Sequence, residues 1–287
     1  MQAKYINPYT GYGFKKLFGE EANKDLLADF LNQLLPAKHK IVELTFKNTE
    51  QLGVSKYQRK AIFDIHCKNQ KGDSFIVEMQ KAKLKFFKDR AVFYMTFPIR
   101  QQAEKGEWNF KLKPVYCVAL LDFEFDDERV KKSYHSKVQL KDQYCRIFFD
   151  KLAFHFIEMP RFTKKLEELE NHFEKWLYFL KNLEDFQTIP DILKEEVFLK
   201  GFEVAEIANF NKKELDEYEE SLKIYRDWYA VVDTSFEDGV VHGIEKGIEQ
   251  GIEQGVLNVA QTALKEGLPI ELISKLTGLT KEKIEKL

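Results

Sequence analysis

Cysteine is scarce in this chain. Only Cys67, Cys117 and Cys145 occur, none in Cys-x-x-Cys spacing, which excludes a disulfide scaffold or a zinc ribbon and leaves the expectation of three buried free thiols. No apolar run approaches the roughly 20 residues that a bilayer-spanning helix needs, and no charged-then-apolar segment opens the sequence. The expectation is a cytoplasmic protein with no membrane contact. The composition of a disordered chain is missing too: 44% of residues are hydrophobic and 14% aromatic, and the 25 Phe are spread along the length. Several packed elements account for such a spread better than one aromatic platform. The 287 residues suffice for a full globular core with a smaller appendage.

A strong net charge is also lacking, at −2 overall, but the balance is uneven along the chain. Residues 1–120 carry 21 Lys and Arg against 12 Asp and Glu, and residues 121–287 carry 24 against 35. The first part therefore has the sign expected of a surface that meets phosphates, although a solvated surface has the same composition.

Within that basic part, residues 61–67 (AIFDIHC) and 74–80 (SFIVEMQ) read as two strands joined by a turn at QKGD, residues 70–73. Alternation places Ile62, Asp64 and His66 on one face, and Ile76, Glu78 and Gln80 on a face of the second strand. Asp64 and Glu78 then meet across the pair. Carboxylates among apolar strand residues need a proton, a basic partner or a metal. Salt-bridging to Arg59, Lys60 or Arg90 is the purely structural alternative. His66, sharing the Asp64 face, reads as a hydrogen-bonded neighbour, and Asp122 as a turn cap.

This pattern resembles the PD-(D/E)xK nuclease superfamily, and more closely the Rpn family of recombination-promoting nucleases and transposases, in which the last motif position is typically Gln. The stretches INPYT at 6–10, GFKKLFG at 13–19, NKDLL at 23–27, FKDR at 87–90 with Tyr94, LKPVY at 112–116 and LLDF at 120–123 match in the same order. The resemblance implies a restriction-endonuclease-like α/β core of α-β-β-β-α-β order and metal-dependent DNA endonuclease activity in recombination or transposition. It implies Asp64, Glu78 and the backbone of Met79 as ligands of Mg²⁺ or Mn²⁺, with Gln80 positioning the attacking water. Gln80 brings no positive charge, so Lys81, Lys15 or Lys16 is the expected source of it. Lys15, Lys16, Arg90 and Tyr94 are the candidate phosphate contacts. Gly11 stands where relatives commonly carry an acid, with Glu20 and Glu21 nearby. That departure supports the alternative of a weak or inactive member that binds DNA or protein through its helical C-terminal half.

Periodicity alone predicts a helix over residues 20–35, strands over 41–46 and 115–123, a helix over 84–102 that Pro98 kinks or ends, and further strands over 144–149 and 153–157. A domain boundary falls near Pro160, giving a nuclease-like domain over 1–160 and a helical region over 161–238. From Gly239 the chain enters a four-residue period, with Gly243, Gly247, Gly251 and Gly255 each followed by Ile or Val. Over residues 239–256 this reads as a docking helix, with a homodimer as the candidate product, or as a linker. Residues 257–287 have the outline of a small helix-turn-helix, with Pro269 opening a helix, Gly278 ending one and Thr280 capping the next.

Overall fold

Helix α1 (Gly11–Phe18) starts where the Thr10 hydroxyl accepts from the Gly13 N–H at 2.9 Å. Glycine is required at 13, because a Cβ there would lie 2.2 Å from the Asn7 carbonyl oxygen. Helix α2 (Lys24–Asn32) buries Leu26, Leu27, Phe30 and Leu31. It is shorter than the expected span over 20–35, because a 3-10 turn, Glu21–Asn23, precedes it and Pro36 follows.

The computed structural model describes residues 3–51, 61–103, 109–126 and 133–287. A six-stranded sheet follows the first helices. Its strands are β1 (Leu44–Phe46), β4 (Ile65–Asn69), β5 (Ser74–Gln80), β6 (Val115–Leu121), β7 (His135–Lys141) and β8 (Ile147–Glu158), in the order β1-β4-β5-β6-β8-β7. The ladders β5–β6 and β6–β8 are parallel, and the others antiparallel. All seven residues of β6 are buried, as a central parallel strand requires. A small ladder of β2 (Glu50–Gln51) and β3 (Ala61–Ile62) stands apart.

Helix α3 (Phe87–Arg100) makes the crossover from β5 to β6. Pro98 lies inside it and does not end it. A helix-interior proline costs about 3 kcal/mol; here Phe87, Ala91, Met95 and Phe97 of α3 pack against Ile76, Cys117, Ala119, Leu121 and Phe156, an apolar face large enough to offset it. The opposite face of the sheet, with Ile65, Cys67, Phe75, Val77, Val118 and Leu120, is covered by α1, α2, α4 (His172–Asn182) and α5 (Glu196–Ala205).

Three expectations need correction. The stretch 61–67 is not one strand: the Phe63 N–H turns aside to the Thr49 carbonyl at 3.0 Å, so the chain leaves the small ladder and joins the large sheet only at Ile65. Residues 147–149 and 153–157 of the two expected strands belong to a single long strand, β8, residues 144–146 lie in the turn before it, and its partner β7 is not foreseen by the periodicity. Cys145 is exposed and in the left-handed region (φ 61°), in a turn whose Asp142 carboxylate accepts from the N–H of Tyr144 and Arg146.

The chain divides into the units Met1–Tyr225 and Arg226–Leu287. The boundary expected at residue 160 falls inside the first, where Trp176, Phe198, Phe202, Tyr218 and Leu222 share the core of α1 and α2. Residues 212–265 form helix α6 (Lys212–Lys265), and the glycine repeat is helical throughout. In the second unit, Ala260 of α6 packs with Ile273 of α7 (Ile270–Thr277) and Ile284 of α8 (Lys281–Ile284). Gly278 takes φ 73° beyond α7, and the Thr280 side chain accepts from the Lys283 N–H, both where the sequence places them. Among the described residues no helix is long and apolar enough to cross a membrane.

Candidate active site

The β4–β5 hairpin sets the register of the two acids. The Asn69 side chain accepts from the N–H of Lys71 (3.0 Å) and of Asp73 (2.9 Å), and Gly72 supplies φ 81° for the turn. Ile65 then pairs with Val77 and His66 with Ile76, which leaves Asp64 one step further on, beside Glu78. A one-residue slip would turn the two acids to opposite faces.

The pair is laced through the backbone. The Met79 N–H donates to Asp64 Oδ2 at 2.8 Å, and the Asp64 N–H donates to Glu78 Oε1 at 3.2 Å. Glu78 is only 7% exposed. Among the described residues neither carboxylate has a Lys or Arg nitrogen within 4.0 Å. Burial, then the charge of Asp64, pushes the Glu78 carboxyl up to about 8; burial raises Asp64 as well, opposed by the Met79 N–H and by the charges of Lys15, Lys81 and Arg90. Two hard oxygen donors so arranged, without a paired cation, are a donor set that suits a divalent ion. No group of three or more His, Cys, Asp or Glu side chains able to hold a metal occurs among the described residues.

The remaining candidates are placed unequally. Gln80 is not free to face outward: its Oε1 accepts from Arg90 Nη2, and its Nε2 donates to the Ala82 carbonyl at 2.9 Å. In this arrangement Gln80 holds the Arg90 guanidinium. Arg90 does not pair with Glu78; it stacks 5.4 Å from the Tyr94 ring centroid and 5.5 Å from that of Phe87. Arg59 and Lys60 lie outside the described residues. Lys16 is held by Glu214 (2.6 Å) and Glu20 (3.3 Å), which removes it as an uncommitted phosphate contact. Glu20, which pairs with Lys16, lines the cleft that Asp64 borders, and Glu21 pairs with Lys24 at 3.4 Å. His66 donates or accepts at Ser74 Oγ (3.0 Å), a hydrogen-bonded neighbour as expected.

Lys15 is uncommitted among the described residues. It lines a cleft of about 400 Å³ with Tyr12, Lys47, Asp64, His66 and Glu217. Lys81 lies over the Tyr225 ring at 5.1 Å, its ammonium pKa lowered by burial and raised by Asp64 and Asp122. Sequence reasoning missed Lys47. Its only signal was a place directly after the alternating run 41–46, at the end of what became β1.

A mixed sheet flanked by helices on both faces, with Asp64 at the start of one hairpin strand beside buried Glu78 on the next, fits the PD-(D/E)xK nuclease class. A family model described as "PD-(D/E)XK nuclease family transposase" matches residues 8–235, and the chain belongs to that family. Comparisons with curated proteins and with solved structures gave no significant match.

Proposed function

We propose that this nuclease-family chain is a metal-dependent DNA endonuclease serving recombination or transposition. The observation that carries the reading is the Asp64–Glu78 pair: a half-buried and a buried carboxylate, held by the Met79 N–H and the Asp64 N–H respectively, with no Lys or Arg nitrogen within 4.0 Å of either among the described residues. Asp64, Glu78 and the Met79 carbonyl would hold Mg²⁺ or Mn²⁺. Such an ion would supply polarisation of the scissile phosphate and a lowered pKa for an attacking water.

The chain's own residues do the rest. The Met79 N–H fixes the Asp64 carboxylate, and the Asp64 N–H fixes that of Glu78, so both acids are pre-set before a ligand arrives. Lys15 faces the same cleft and supplies positive charge that Gln80 lacks. Gln80 aims the Arg90 guanidinium, whose planar fork suits a phosphate oxygen pair. Tyr94 backs that guanidinium with its ring.

Two copies of the chain would supply the two sites that double-strand cleavage needs. Exposed Ile244, Ile248 and Ile252 alongside open Gly243, Gly247 and Gly251 support association through the repeat.

Nicking of supercoiled plasmid with Mg²⁺ or Mn²⁺ tests the central reading. The wild type is expected to nick, while Asp64→Asn and Glu78→Gln, which keep the shape of each side chain, lose at least about a hundredfold, the scale of losing a charge-stabilising group. Equal rates in wild type and both variants would reject the assignment. DNA binding without any nicking would favour the binding module instead.

A further inference from the structure

Three lysines that the nuclease motif does not explain lie on one side of the hairpin. Lys47 is exposed and shares the cleft with Asp64; its N–H donates to the His66 carbonyl at 2.7 Å, which anchors it beside β4. Lys68 follows on that strand, opposite Thr45 of β1 and Ser74 of β5. Asp64, His66 and Lys68 are successive alternate residues, so from the acid to the lysine is about 13 Å along the strand. One strand further across, Ser74 pairs with Val115, and the exposed Lys113 stands two residues before it. The position of Lys113 is fixed: its N–H donates to Gln102 Oε1 at 2.7 Å, and its ammonium lies close enough to the hairpin turn that a Cβ on Gly72 would meet it at 2.6 Å.

Among the described residues none of the three has a carboxylate within 4.0 Å. Elsewhere in the first unit Lys24, Lys194 and Lys200 are matched by acids, whereas Lys15, Lys40 and Lys85 have no carboxylate within 4.0 Å among the described residues. What sets the three apart is that they lie close to one another. Half-buried Lys68 lies in the field of Lys47 and Lys113, and burial with their repulsion holds its ammonium below the usual range. Like charges gathered without counter-charge weaken the fold unless an anion joins them.

We propose that Lys47, Lys68 and Lys113 form a phosphate track that carries a DNA strand from the Asp64–Glu78 pair toward the β4–β5 turn. The track rests on the endonuclease reading for its substrate and extends it by naming the surface that substrate follows. Lysines are point charges without the fork that reads base edges, so the track holds DNA of any sequence.

The test is a binding measurement on the full-length chain in EDTA, where cleavage cannot occur. Fluorescence anisotropy with a labelled duplex across a salt series gives the slope of log K against log salt. Each lysine–phosphate contact contributes about 0.9 to it on duplex DNA. A Lys47→Gln, Lys68→Gln, Lys113→Gln triple variant is expected to lower the slope by roughly 2 to 3 and weaken binding at low salt, equally for unrelated sequences. A Lys24→Gln, Lys194→Gln, Lys200→Gln variant, stripping acid-paired lysines, is expected to leave the slope unchanged. An unchanged slope in the track variant, an equal fall in the control, or no binding by wild type would each overturn the proposal. Circular dichroism of both variants identifies a slope lost through unfolding, and single Lys47→Gln and Lys113→Gln variants at exposed positions then replace the triple. Plasmid nicking is read separately: a wild type that binds along the track but never nicks leaves the track standing and removes the endonuclease.

Discussion

At the level of single residues, charge and burial decide what each group can do, and His155 shows this outside the cleft that Asp64 borders. It is 1% exposed, its Nδ1 meets His135 Nε2 at 3.0 Å, and its Nε2 finds no partner among the described residues. Burial first, then His135 and Lys137, lowers its pKa to about 3 from the ordinary 6.5. The folded state thus refuses a proton that the unfolded state accepts below pH 6.5, so stability present above that value drains away as pH falls toward 3. Urea denaturation at pH 7.5 and pH 5 is expected to show the wild type losing about 2 kcal/mol more than His155→Phe between the two. A His155→Phe variant with the wild-type pH slope would sink this account. The acids Asp64 and Glu78 were legible in the sequence because alternation and a short turn suffice to bring them together. Gln80 and Lys16 were not. Their roles depend on Arg90, ten residues away, and on Glu214, which lies 198 residues away.

Among the elements, periodicity located α2, α3, β6 and the hairpin strands, since each has an apolar pattern that one buried face imposes. It missed β7, whose residues are all exposed or half-buried at a sheet edge, and it fused β3 with β4 because the bend at Phe63 leaves the alternation intact. The repeat in α6 illustrates a different limit. Each interior glycine costs a helix about 1 kcal/mol relative to alanine, yet a Cβ at Gly243, Gly247 or Gly251 would meet nothing within 4 Å. Replacing all three by alanine is expected to slow amide hydrogen exchange across 239–256, with roughly 3 kcal/mol of added local helix stability. If two copies pack through the glycine groove, the same variant also shifts sedimentation toward monomer. A self-associating wild type whose oligomeric state ignores the three methyl groups would remove the repeat as the contact.

For the whole chain, the decisive contacts join its beginning to residues beyond 200. The Asn7 N–H donates to the Tyr218 hydroxyl at 2.9 Å, the Tyr12 N–H to Ser221 Oγ at 3.0 Å, and the Ile6 N–H to the Ala205 carbonyl at 3.0 Å. No local pattern could announce them, because each partner looks ordinary within its own segment. Tyr218→Phe keeps the ring but leaves the Asn7 N–H buried and unanswered, which should cost about 1 to 3 kcal/mol in chemical denaturation. A smaller change would mean that another group takes up the bond.

These closures also order events in time. A ribosome releases residues 64 and 78 early, but the helix that brings Lys15 to them waits for Tyr218 and Ser221 before its seat is complete. Long-separated contacts form late, so a nascent chain carries both acids long before the cleft that Lys15 shares with Asp64 is complete, and truncated translation products ending before α6 would lack that cleft.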